Sequence, residues 1–330
     1  MKHVEISSSS DAVALAVALS GHLPSNELVV IPQGLLGSGV PITPLDPRPS
    51  LREVGRLLAG IKGIEHHLEG RQLMAVAFGS IESAAMVGAV MERLRPDEVT
   101  PVFAYTDGLA RRWEGEGLFW PASGEPVDLA AHPFVVEALA TGHLQLRTRG
   151  EIRASFAPAQ LGAQRAAYAR EALHAEQSTI VTMAPHKAAQ RAYEQALSGY
   201  LDEGADRGIT VSDEHAAMLA AAALDLQVRD LLLIHFTTEN APALAEVWRQ
   251  VAAVLDGPNS GAAAILAAAC HWASRHAVAA REALNAGLES APEHSLGRLL
   301  ERALDAGIHP SMWEHLRTAA AQAAAEQSTR

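Results

Sequence analysis

The sequence predicts an α/β sheet domain followed by an all-helical domain, and three observations carry that reading. Short apolar, β-branched runs alternate with helical patterns up to about residue 155. From Ala157 onward nearly every segment has helical periodicity, with turn residues at the breaks. The 330 residues are enough for about two domains. The expected division is therefore 1–155 for the α/β domain and 156–330 for the helical one.

Taken in order, Asp11 is placed to cap a short helix running to about Leu19, which Gly21 stops. Leu28-Val29-Val30-Ile31, just before Pro32, reads as a buried strand. Gly34 to Gly39 reads as a turn, and the prolines between Pro41 and Pro49 hold an extended segment. Ser50 suits the cap of a helix from Leu51 to about Gly60, or on to His67 if Gly60 and Gly63 are tolerated. Leu73 to Phe78 reads as a second buried strand, and Ile81 to Leu94 as a helix ending at Pro96. Val99 to Tyr105 and Leu109 to Trp113 form a hairpin around Asp107-Gly108. Strand–helix–strand alternation at this spacing implies crossover helices. Beyond it the expected helices run 158–176, 185–201, 212–224, 228–236, 241–255, 261–276, 277–289, 295–306 and 310–327, separated by short loops. The stretch from Gly261 to Leu304 looks like the paired helices of tetratricopeptide arrays, without three copies at their period of about 34 residues.

Composition narrows the function classes. Apolar residues make up 48% and charged residues 19%, the balance of a folded chain. With 26 basic and 38 acidic residues the net charge is −12, which argues against a general nucleic-acid binder because counterion release needs a basic face. The N-terminal residues lack a signal-peptide pattern, and the apolar run Ala12–Leu19 is too short to span a bilayer. The single cysteine, Cys270, fits a reducing cytoplasm, which is the expected location.

Candidate chemistry is sparse. Gly34 to Gly39 has its glycines in the reverse of the dinucleotide spacing and leads into Pro41, so a plain turn is the better reading. Gly79 and Ser80 are better placed, between a strand and a helix whose first amides suit an anion, although every α/β unit has such a turn. The histidines form no zinc spacing: His66 and His67 are adjacent, and His271 and His276 are poorly paired on a helix. No metal and no cofactor is expected. There is no nucleophile elbow, and acidic pairs such as Glu125 with Asp128, or Asp202 with Glu203, look like solvated faces.

Arg111 to Pro121 is denser in information. Arg112, Trp113 and Trp120 offer large surfaces and directional bonds suited to a ligand or partner, against the plainer reading that the aromatics cover a core. Arg147, Arg149 and Arg153 follow Gly142-His143 at the domain junction. They are placed to pair with acids or to meet an anionic ligand in an inter-domain cleft. Arg229 and Asp230, in an otherwise apolar stretch, read as a binding pair or, more simply, as a couple that fixes helix register.

These blocks together resemble an uncharacterised actinobacterial family, domain of unknown function 4192. Leu19 to Val30 resembles its opening pattern Leu-Leu-Gly-Phe-x-Pro-x-x-Ser-Leu-Val-Val, with His22 in the aromatic's place and Glu27 in the serine's. Asp107-Gly108 with Arg112-Trp113, Pro121-x-x-Gly124, Arg149, the Gln227 to Leu232 block, the helices around Trp272 and Ser295 to Leu300 follow in order. Many members carry a cysteine pair where Phe119-Trp120 stand here, so a thiol or metal role imagined for the family cannot operate in this chain. The resemblance implies the fold and leaves the activity open.

The leading expectation is a binding, scaffold or regulatory protein that holds a protein partner or a small anionic ligand through the Arg/Trp hairpin and the cleft. Self-association into a homo-oligomer is compatible with it. The alternative is a hydrolase or transferase acting on a phosphorylated or nucleotide-like metabolite, with the anion at Gly79-Ser80 and Arg149 supplying charge.

Overall fold

A computed structural model describes residues 6–32, 42–46, 52, 54–57, 72–94, 100–140, 144–159, 163–201, 211–306 and 308–328. The Gly34–Gly39 turn, Pro41, Pro47, Pro49, the Ser50 cap, His66, His67, Gly142, His143, Asp202, Glu203, Gly204, Gly208 and Gly307 lie outside them. The chain divides into two units, Met1–Arg149 and Gly150–Arg330.

In the first unit the order is α1 (Ser9–Ser20), β1 (Glu27–Pro32), β2 (Ile42–Pro44), β3 (Leu73–Phe78), α2 (Ile81–Leu94), β4 (Val102–Thr106), β5 (Leu109–Trp113), β6 (Phe119–Pro126) and α3 (Pro133–Ala140). The next helix, α4 (Arg149–Ala154), begins at the boundary. The strands form one sheet in the order β2-β1-β3-β4-β5-β6. β3 and β4 are parallel, joined by α2, whereas β1 runs antiparallel to β3 with Glu27 opposite Phe78. The expected crossover sheet is thus a mixed one. Register across β1 and β3 is fixed by contacts distant in sequence, so the alternation of elements carries no signal of direction. β2 and β6 were not foreseen: prolines and glycines interrupt their alternation. They are the two outer strands, carrying Pro44 on β2 and Pro121 and Pro126 on β6.

Helices cover both faces, which is why β1 and β3 read as unbroken apolar runs and are buried throughout. Val29, Ile31, Met74, Val76 and Phe103 pack with α1 and α3. Leu28, Val30, Leu73, Ala75 and Val102 pack with Ala84, Val87, Val90 and Met91 of α2. Helix α1 starts one turn earlier than Asp11: Ser8 is the cap, its hydroxyl accepting from the Asp11 amide while Asp11 bonds back to Ser8. Burial alone would raise the Asp11 carboxyl, but hydrogen bonds from Ser7 and Ser8 outweigh it and hold the pKa below its ordinary value.

Gly88 of α2 exists for a neighbour. A Cβ there would lie 2.5 Å from the indole of Trp113, so only glycine lets β5 and α2 close. Gly88→Ala is expected to lower stability by about 1–3 kcal/mol, the cost of overpacking, read from urea midpoints. An unchanged midpoint would show that the indole swings aside freely.

The second unit is helical: α5 (Ala163–Thr182), α6 (Pro185–Leu201), α7 (Asp213–Leu224), α8 (Leu226–Leu233), α9 (Ala241–Val254), α10 (Gly257–Ala273), α11 (Ala277–Ser290), α12 (Ser295–Asp305) and α13 (Met312–Ser328). These match the expected segments within a few residues. The largest shifts are α5, which starts at Ala163 and runs on to Thr182, and α10, which starts at Gly257 instead of Gly261. Helix α8 also starts early, because the Asp225 carboxylate caps the amides of Gln227 and Val228 at 3.0 Å each. Helix α10 is buried from Ser260 through Ala273, as its all-round alanine-rich pattern requires. It lies against α11 so closely that a Cβ on Gly261 would stand 2.7 Å from the Gly287 carbonyl oxygen.

Candidate functional site

At the carboxyl ends of the parallel pair, where antiparallel β1 begins, three chain segments line an open pocket of about 440 Å³. Residues 24–26, 78–80 and 105–107 line it. Its volume falls in the range of small-ligand sites, and the ends of parallel strands are where open α/β sheets hold ligands. Gly79 and Ser80, singled out in the sequence, are two of the lining residues.

Backbone geometry builds the pocket. Gly79 has φ +152°, and a Cβ on it would come within 3.2 Å of Asn26 Oδ1. Its amide donates to the Tyr105 carbonyl at 3.2 Å, and Thr106 Oγ1 donates to its carbonyl at 2.6 Å, so the turn is clamped to β4. Ser80 caps α2: its hydroxyl accepts from the Ser83 amide at 3.1 Å. Asn26 and Asp107 both sit in the left-handed region, at φ 53° and 52°, which asparagine and aspartate tolerate better than most residues. Phe78 and Tyr105 meet edge to face, ring centroids 5.6 Å apart, and burial raises the Tyr105 phenol above its usual pKa. The lining is rich in hydroxyls (Ser25, Ser80, Tyr105, Thr106), with the Asn26 amide and one carboxylate, Asp107.

Next to Asn26 on the chain, Glu27 belongs to a buried charged cluster. His22 is fully buried and Glu27 is 3% exposed. His22 Nδ1 lies 3.1 Å from the Ser20 carbonyl, which only accepts, so Nδ1 carries a hydrogen. Nε2 lies 2.6 Å from Glu27 Oε2, and that contact needs a proton between its two atoms. The other carboxylate oxygen, Oε1, meets Arg149 Nε. The sequence offered Arg149 to the cleft or to acids of the helical half; its partner is Glu27, within the first unit. His22 and Glu27, the two departures from the pattern this block resembles, are the two halves of one bond.

The hairpin candidates separate by strand alternation. Trp113 turns inward, its Nε1 donating to Glu92 at 2.8 Å and its ring meeting Phe119 edge to face at 5.3 Å. Arg112 and Trp120 are paired across the ladder on the opposite face. Trp120 is 69% exposed, and Arg112 faces Glu114 at 3.5 Å. In the second unit Arg229 is buried, its Nε and Nη2 donating to Asp230 Oδ1 at 2.8 and 2.6 Å and its Nη1 to Ser295 at 3.3 Å. It thereby ties α8 to the start of α12. Arg153 pairs with Glu289 there. Glu125, read as solvated, accepts from the Ser10 amide at the start of α1 at 3.2 Å.

Cys270 is buried, and burial pushes its thiol well above the ordinary value, as for an inert core cysteine. Among the described residues no three histidine, cysteine, aspartate or glutamate side chains converge on a metal position. None of the described helices is long and apolar enough to cross a membrane. Sequence reasoning missed Asn26, Tyr105 and Thr106 as pocket residues, and took Asp107 only for a turn; the β1–β3–β4 register that gathers them is non-local.

No curated protein and no solved structure matches the chain. Residues 69–311 match the family model described as Domain of unknown function (DUF4192), a span that takes in β3 to α12 but starts after β1 and its His22–Glu27 block. On that match, the chain belongs to the DUF4192 family.

Proposed function

We propose that the chain is a binding protein for a small anionic ligand, a phosphorylated or nucleotide-like metabolite held in the pocket at the ends of β3 and β4. The observation that carries this reading is the coincidence of the pocket with the Gly79-Ser80 turn. The first turn of α2 brings the positive end of its dipole to that turn. The surrounding hydroxyls and the Asn26 amide supply neutral hydrogen bonds, and Asp107 accepts from ligand hydroxyl groups. A second reading, a protein partner docked on the hairpin, is favoured by Trp120, an exposed tryptophan directly opposite Arg112.

Thermal shift measured with inorganic phosphate, a nucleoside 5′-monophosphate and the unphosphorylated nucleoside tests the first reading. The monophosphate is expected to raise the melting temperature by several degrees at about 100-fold its Kd. Ser25 is exposed at the pocket mouth, so Ser25→Trp fills the pocket without disturbing the core and abolishes the shift. Trp120→Ala leaves the shift intact. No response to any phosphorylated compound overturns the reading, and loss of the shift in Trp120→Ala alone moves the ligand to the hairpin.

A further inference from the structure

The family match stops at residue 311, immediately before α13, and among the described residues that helix is attached to its unit through Trp313 and Arg317. Trp313 alone among its described side chains is buried, at 6% exposure. Its indole Nε1 donates to the Phe236 carbonyl at 2.7 Å, and its ring meets Trp272 edge to face at 5.9 Å. One turn on, Arg317 Nη1 donates to the Ile234 carbonyl at 3.2 Å, while Nε and Nη2 hold Glu314 of the same helix at 2.9 and 2.8 Å. Both acceptors lie just past the end of α8, where carbonyls lack helical partners, so the two side chains act as its cap from outside. Beyond Arg317, residues Thr318, Ala319, Ala320 and Gln322 are exposed. Met312 and Leu316 are exposed as well, at 43% and 53%.

This attachment is unlike that of α10, where every residue from Ser260 to Ala273 is buried. Among the described side chains of α13, one aromatic ring and one guanidinium hold it to its unit, and a helix held by so few contacts opens at a far lower free energy than the core beneath it. The alanine-rich segment after Arg317 keeps a helical preference of its own, so it can leave its seat as a helix.

We infer that α13 is a detachable strap: it lifts off the second unit as one piece by releasing Trp313 and Arg317, uncovering Phe236 and the edge of Trp272 while α9 to α12 stay folded. The exposed seat is an aromatic socket flanked by two free carbonyls. The strap thus blocks, in the resting protein, the surface it uncovers.

Native-state hydrogen exchange on the full chain tests this. The Trp313 indole hydrogen and the amides of residues 317–324 are expected to exchange with one common opening constant. Their protection is at least about 100-fold below that of α10 and α11. Trp313→Ala removes the remaining protection of α13 and leaves α10 and α11 within about threefold of the parent. Arg317→Ala, a half-buried position, speeds the common opening and also spares the core. The inference is overturned if the Trp313 indole exchanges as slowly as α10, which would mean that the strap opens only when the unit unfolds. It is equally overturned if both variants lower protection throughout α10 and α11, which would make Trp313 and Arg317 part of the core.

Discussion

Glu27→Ser is expected to destabilise the chain by about 3 kcal/mol, because it strips a buried histidine and an arginine of their shared carboxylate. His22 has no access to water at all, and Arg149 is 30% exposed and can partly rehydrate. His22→Phe costs a similar amount for the mirror reason: one oxygen of a buried carboxylate loses its donor. Combining the two changes installs the phenylalanine and serine of the pattern this block resembles. The buried carboxylate and the buried imidazole then disappear together. The double variant should therefore lie closer to the parent than the sum of the singles, with a coupling of at least about 1.5 kcal/mol in a urea double-mutant cycle. Strict additivity would mean that His22 and Glu27 do not share a proton in the folded protein.

Acid should loosen the second unit well above the carboxylate range. Burial, followed by the charge of His276, lowers the pKa of His271 from 6.5 to about 3. Burial, followed by Arg229, lowers His294 to about 4, with Asp230 pulling the other way. His235 is lowered in the same direction by burial and then by Arg317. At His271 and His294 the unfolded chain takes up a proton as pH falls through 6.5, while the folded chain refuses it until pH 3 to 4. Between those limits the unfolded state binds more protons, so stability is full above pH 6.5 and is lost as pH falls below it. Each such histidine contributes a slope approaching about 1.4 kcal/mol per pH unit. His271 alone accounts for about 2 kcal/mol between pH 6.5 and 5. His294 adds a structural reason, since its Nδ1 accepts from the Gly297 amide at the start of α12 and protonation would remove that acceptor. Urea midpoints from pH 7.5 to 5 measure the slope, and His271→Leu should flatten it by about one proton's worth. Equal slopes in parent and variant would show that His271 titrates normally.

Legibility of the fold followed the range of the interactions that decide each element. Most helices of the second unit are readable to within a few residues because their breaks are local chemistry, as at Ser212 and Asp256-Gly257-Pro258, whereas the Asp225 cap, which moves the start of α8, is not read from the pattern. Gly88, Gly261 and Gly287 look like poor helix residues in sequence, and their meaning lies in what stands opposite them. In the first unit the Asp107-Gly108 turn and the two strands it joins were legible, because a tight hairpin is local. Strand direction at β1, the existence of β2 and β6, and the meeting of Asn26 with Gly79 are not local and left no trace in the pattern. The same holds for the site: Gly79 and Ser80 were found from a strand-to-helix turn, whereas Arg149 was found as a charge and its partner, inside a strand, was not.

The outer strands have a consequence for how the first unit meets other molecules. A proline has no amide hydrogen to give, so β2 and β6 each present a hydrogen-bonding edge with missing rungs. The left-handed Gly124 further breaks the regular course of β6. An extended peptide, or the sheet of another molecule, finds no continuous ribbon to zip onto. Among the described strands, both outer ones are thus poor templates for strand-by-strand stacking at high concentration.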